Sequence, residues 1–185
     1  MTTDTAPTYR PGQSDLPPEK ASAHTLIILV EERPGTIDRV VGVLRRRRAN
    51  MQTLVLGHSE APNVVRITVV VNDSEVGVDQ LVEQLRKIVD VRQVVCATAE
   101  QSVTRELALI KVSSTPESLR KIIELGQLSG AHAIDIADGS VTLEVSGNED
   151  KVDSLIEQLQ PFSIREVARS GRITMQRDTS TKDAR

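Results

Sequence analysis

Thr25-Leu26-Ile27-Ile28-Leu29-Val30-Glu31-Glu32-Arg33-Pro34-Gly35-Thr36-Ile37 is the stretch on which the fold turns. Its first six residues form an unbroken apolar run, the pattern of a strand that is covered on both faces or set in the middle of a sheet. The run stops at Glu31 to Gly35. Proline suits the first turn of a helix, where its missing N–H would have no partner anyway, and Ile37, Val40, Val41 and Leu44 then recur at helical spacing. A buried strand thus leads through a tight turn into an amphipathic helix that closes on Arg45 to Arg48.

Downstream, Met51–Leu56 and Val64–Val71 read as strands joined by the Gly, Pro and Asn-bearing connection 57–63. Val78, Leu81, Val82, Leu85 and Ile88 mark a second helix, and Val91–Ala97 a fourth strand. The order then repeats. Glu106–Val112 is a strand, Thr115-Pro116-Glu117 opens a helix that runs through Leu128, and Ala131–Ile136 and Val141–Val145 form a hairpin around 137–140. Glu149–Leu159 is a helix and Ile164–Ala168 a closing strand. The fold class is α+β: two tandem βαββαβ, ferredoxin-like units, at 24–98 and 104–175. Each would leave one sheet face for another element or a second copy to cover. Residues 1–23 hold half of the eight prolines and almost nothing to bury, so they read as a disordered tail, and 176–185 as a flexible one.

Composition narrows the function. Of 185 residues 38% are hydrophobic, yet only Tyr9 and Phe162 are aromatic, so the core is aliphatic and no base-stacking platform for nucleic acid can be built. With 23 basic and 26 acidic residues, net −3, there is no global field for polyanions. The lone Cys96 forms no internal disulfide, which suits a reducing compartment, and no apolar run reaches the ~18 residues of a membrane span. A cytoplasmic location is expected.

No catalytic constellation emerges. His24, His58 and His132 lack a second ligand at helical i+4 spacing, so no metal site is expected, and Cys96 in an apolar strand reads as an inert small side chain. Phosphate-cradling glycine patterns and the nucleophile elbow are missing. Glu31 and Glu32 read as solvated carboxylates facing a helix dipole, and Arg45–Arg48 as cations favoured at a helix C-terminus. The junction itself has two readings. Gly35 lets a ligand approach the backbone, where the free N–H groups of the first helical turn can hold a carboxylate; equally, it is a tight turn with a glycine chosen for packing. Asn50 adds a group that donates and accepts.

An apolar strand followed by Glu31-x-x-x-Gly35-x-Ile37, an Arg-rich helix end with Asn50 just before a strand, and the βαββαβ order resemble the ACT domain, a small-molecule sensor module. Val89-Asp90-Val91, Arg105 to Val112, Ile134 to Ile136 and Pro161 to Gly171 resemble the regulatory small subunits of acetolactate synthase, over His24 to about Met175. The resemblance implies a chain without catalytic residues or cofactors of its own. It would activate a catalytic subunit that carries thiamine diphosphate, FAD and Mg²⁺, and confer feedback inhibition by valine or another branched-chain amino acid. It further implies a homodimer through the first, ACT, units, with neither nucleic acid nor membrane as partner. The effector site would combine Glu32, Pro34, Gly35, Thr36 and Ile37 of one subunit with Asn50 and Met51 of the other: Gly35 and Thr36 amides for the carboxylate, Asn50 for polar groups, Ile37 and Met51 for the side chain.

Two departures from the family pattern fall at this pocket. Glu32 stands where an uncharged polar residue is common, and would repel a carboxylate but attract an ammonium. Arg48-Ala49 replaces a glycine and an aromatic. Two alternatives follow: an activator that lacks feedback sensitivity, or a stand-alone sensor or co-regulator using Arg45–Arg48 on nucleic acid.

Overall fold

The computed structural model describes residues 23–72 and 77–178. The expected tail at 1–22 and the last seven residues, 179–185, lie outside this range. Ala23 already opens the first strand.

The N-terminal unit runs β1 (Ala23–Glu31), α1 (Thr36–Arg46), β2 (Asn50–His58), β3 (Val64–Asn72), α2 (Val78–Arg86) and β4 (Val91–Ala97). Its antiparallel sheet has the order β2-β3-β1-β4, so the apolar β1 is interior, as its unbroken run requires. Leu26, Ile28 and Val30 face the helices and pack with Ile67, Val69 and Val71 of β3 against Val40, Val43 and Leu44 of α1 and Leu81, Val82 and Leu85 of α2. Each such side chain contributes about 1.5–3 kcal/mol by leaving water.

The C-terminal unit repeats the plan with β5 (Ser102–Ser113), α3 (Pro116–Leu128), β6 (His132–Ala137), β7 (Ser140–Gly147), α4 (Glu149–Leu159) and β8 (Ile164–Arg169), in sheet order β6-β7-β5-β8. Ala108, Ile110 and Val112 alternate inward from β5 to meet Val141, Leu143 and Val145 of β7, with Ile122, Val152, Leu155, Ile156 and Leu159 from the helices. Both helices are well started: Thr115 and Ser118 form a reciprocal capping box, and Asn148 Oδ1 accepts from the Lys151 amide at 3.2 Å.

The chain divides between Thr104 and Arg105, as expected, and again between Ser170 and Gly171. The second division corrects the expected unit of 104–175: from Gly171 onward the chain rejoins the N-terminal unit. Its β9 (Ile173–Gln176) pairs with the leading end of β5, and Thr104 and Thr174 share a hydroxyl hydrogen bond at 3.1 Å. Gln176, expected to begin a flexible tail, closes this strand. A Cβ on Gly171 would fall 2.9 Å from Val55 Cγ2, and an Arg66 Nη donates to the Thr174 carbonyl at 2.6 Å. Residues 171–176 therefore cross the face of the N-terminal sheet that lies opposite the helices.

Candidate functional site

The turn between β1 and α1 is shaped by Gly35, whose φ of 80° lies in the left-handed region. No side chain caps the helix. Of the amides that a helix start leaves without intrahelical partners, that of Thr36 donates to the Arg33 carbonyl at 3.2 Å, while Arg39 N–H reaches the Gly35 carbonyl at 3.1 Å. Among the described residues the amides of Gly35, Ile37 and Asp38 have no acceptor. They form a cradle of partial positive charge suited to a carboxylate.

Thr36 departs from its expected role. Its amide is engaged, and its side chain, 1% exposed, accepts from Arg39 Nη2 at 3.3 Å. It anchors the turn, and the donors are its neighbours. Pro34, Gly35 and Ile37 are exposed beside it. Glu31 pairs with Arg33 at 2.6 Å and with Arg92 at 3.7 Å, whereas the exposed Glu32 carboxylate has no cationic partner among the described residues and holds the loop only through its amide, which donates to Asn63 O at 2.9 Å.

One residue of this site was visible in the sequence only as part of a resemblance. Asp90, in the turn between α2 and β4, is buried and receives Arg39, while Arg33 lies 3.6 Å away. Its carbonyl also accepts from Glu31 N–H at 2.8 Å. Asp90 thus ties both sides of the Gly35 turn to the sheet. A single acid between two valines was the only signal, since its partners lie 51 and 57 positions earlier.

Asn50 and Met51 are at the other end of the unit. In the β2–β3 register Asn50 faces Asn72 and His58 faces Val65, while Glu31, which leads into the turn, faces Val64. The eight steps of β2 between these ends span about 27 Å. Within one chain the two halves of the expected site therefore stay apart. Register also separates their faces. Met51 aligns with core residue Val71 and shares the helix-bearing face with Ile37, whereas Asn50 lies on the opposite face beside Asn72, whose buried Oδ1 has no hydrogen-bond partner.

β2 is an edge strand with an apolar outer part. Met51, Leu54 and Leu56 are 37%, 37% and 44% exposed, although their register partners Val71, Val69 and Ile67 are buried in the core, and Ile37 on α1 is 41% exposed. An apolar edge with unpaired backbone groups is a template for another strand.

The remaining candidates carry no chemistry of their own. Among the described residues no group of three or more His, Cys, Asp or Glu could hold a metal ion, and no helix is long and apolar enough to cross a membrane. Cys96 lies on the exposed side of β4, not within the core; partial burial and then the nearby Asp79 charge push its thiol pKa up, which disfavours the nucleophilic thiolate. Arg45–Arg48 closes α1, with Arg48 at a φ of 52° ending the helix.

Residues 26–93 match the family described as "AHAS small subunit-like ACT domain", and residues 105–178 that described as "Small subunit of acetolactate synthase". An acetolactate synthase small subunit of Mycobacterium bovis is 40% identical over 154 residues, which is 83% of this chain and 92% of that protein. A probable acetolactate synthase small subunit of Archaeoglobus fulgidus is 39% identical over the same span, 96% of its length. The crystal structure of the small subunit from Thermotoga maritima superposes with a TM-score of 0.78 at 29% identity, covering 85% of this chain and 99% of that one. With its two ACT-like units in this order along one chain, the protein belongs to the acetolactate synthase small-subunit family.

Proposed function

We propose that this chain is the regulatory subunit of an acetolactate synthase, which activates the catalytic chain and takes valine, or another branched-chain amino acid, between two copies of its N-terminal unit. The observation that carries the reading is the separation of the site's halves. Antiparallel pairing of β2 with β2 of a second copy sets the first residues of one strand beside the last residues of the other. Met51 of one copy then meets the Gly35 turn of its neighbour, and the exposed Met51, Leu54 and Leu56 become covered. The Gly35, Ile37 and Asp38 amides hold the effector carboxylate, unpaired Glu32 faces the ammonium, and Ile37 and Met51 flank the aliphatic side chain. Asn50, on the other face, closes the strand end. Thiamine diphosphate, FAD and Mg²⁺ belong, in this reading, to the catalytic partner.

The effector acts by binding two arrangements of the dimer with different affinity, and couplings of about 1–3 kcal/mol are usual for such sites. Calorimetric titration of the purified protein with valine tests the site. Binding is expected in the wild type and lost in Gly35→Asp, whose carboxylate would occupy the cradle; equal binding by both would overturn the assignment. Activity of the catalytic subunit with and without this chain tests the role. Activation that excess valine leaves untouched would identify an activator without feedback, consistent with the Glu32 and Ala49 departures.

A further inference from the structure

The face of the N-terminal sheet that carries no helices holds a second constellation. Beneath the crossing segment lies a cavity of about 270 Å³. Its walls include Ile27 and Leu29 of β1, Val95 of β4 and Met175 of β9, an aliphatic lining from three strands. Two opposite charges flank it: Arg66 on β3, and Glu60 in the β2–β3 hairpin. They are not paired with each other, and neither has an ion-pair partner among the described residues. One Nη of Arg66 is held by the Thr174 carbonyl at 2.6 Å, which fixes the guanidinium and leaves its other N–H groups for an acceptor.

We propose that this cavity is a binding site for a small aliphatic zwitterion, an α-amino acid with a short branched side chain. Arg66 receives the carboxylate, Glu60 the ammonium, and Ile27, Leu29, Val95 and Met175 surround the hydrocarbon. The two unpaired charges of opposite sign select a ligand that brings both complements at once, since a monovalent ion would satisfy one and leave the other. The cavity is somewhat smaller than the range typical of drug-sized ligands, which suits a metabolite of a few carbons. The site differs from the Gly35 site in face and in composition, since one chain supplies every residue, so it does not rest on the dimer reading. Its placement gives it a function: a ligand here would bridge β1, β3 and β4 to the segment that reaches the sheet from the end of the chain.

The methionines allow the two sites to be read separately. Only Met1, Met51 and Met175 occur, so ¹³C-methyl labelling of methionine places one reporter at this cavity and another on β2. Titrating the full chain with valine is expected to shift the Met175 methyl saturably, whereas valinamide and 3-methylbutanoate, each lacking one charge, leave it in place at equal concentration. Glu60→Gln, on an exposed loop, and Arg66→Gln should each weaken the Met175 response about tenfold or more. Should Arg66→Gln fail to fold, Glu60→Gln alone decides. A Met175 methyl that does not move with valine, or that responds with unchanged affinity in Glu60→Gln, overturns the proposal. Movement of Met51 alone would support the interface site and refute this one; movement of Met175 alone would do the reverse.

Discussion

Arg48 ends α1 at a φ of 52°, while the Ala49 amide reaches back to Leu44 O at 3.0 Å, so the residue occupies the left-handed position at which glycine commonly stops a helix. A side chain there costs about 1–2 kcal/mol. The departure at Arg48-Ala49 is thus a backbone matter as well as a pocket matter. Arg48→Gly is expected to raise the unfolding free energy by about 1 kcal/mol, read as a higher urea midpoint at unchanged m-value; a lower midpoint would mean that the arginine's own interactions outweigh its strain. At Asp90 the expected sign is opposite. Asp90→Asn removes the charge that Arg39 and Arg33 converge on, and because both arginines are half exposed the loss is expected at about 1–3 kcal/mol, with weaker valine binding at the loosened Gly35 turn. Gly35, Ile37 and the unpaired Glu32 were legible as a site from local order alone. That Thr36 is spent on the fold and that Asp90 holds the turn was not, because both depend on contacts made across dozens of positions.

At the scale of elements, the strands that alternation or unbroken apolarity marked are the ones present. β5 shows why: its buried residues fall on every second position from Glu106 to Val112, a period of two that no helix reproduces. β2 was found as a strand, but its edge position was not, since Met51, Leu54 and Leu56 look like core residues until the sheet order places nothing beside them. They are the apolar face on which the proposed dimer depends. Leu54→Lys sets a charge at the centre of this edge and is expected to yield a monomer by sedimentation equilibrium, with the secondary structure of the wild type kept in far-ultraviolet circular dichroism. A variant that remains dimeric would move the interface elsewhere.

For the whole molecule, chain order and structural membership diverge. The two repeated units were readable because each contains its own hydrophobic period. Residues 171–177 escaped that reading, since Ile173 to Gln176 is too short for a period and its burial comes from a sheet more than a hundred positions earlier in the case of Arg66 and Thr174. The segment is held by the Arg66–Thr174 bond, by the Thr104–Thr174 hydroxyl pair, and by Arg177, whose amide donates to Gln101 O at 2.8 Å and whose Nε donates to Ser102 O at 3.2 Å. Four such bonds, at about 0.5–1.5 kcal/mol each, are together worth about 2–6 kcal/mol. Ending the chain at Ser170 removes the last strand from the N-terminal unit while leaving the C-terminal core of Ile110, Leu143 and Leu155 untouched. Hydrogen exchange is therefore expected to accelerate at β1 and β3 amides of the truncated chain, with those of β7 and α4 protected as before. Uniform acceleration in both units would show that the segment stabilises the chain as one body, and loss confined to β7 and α4 would assign it to the wrong unit.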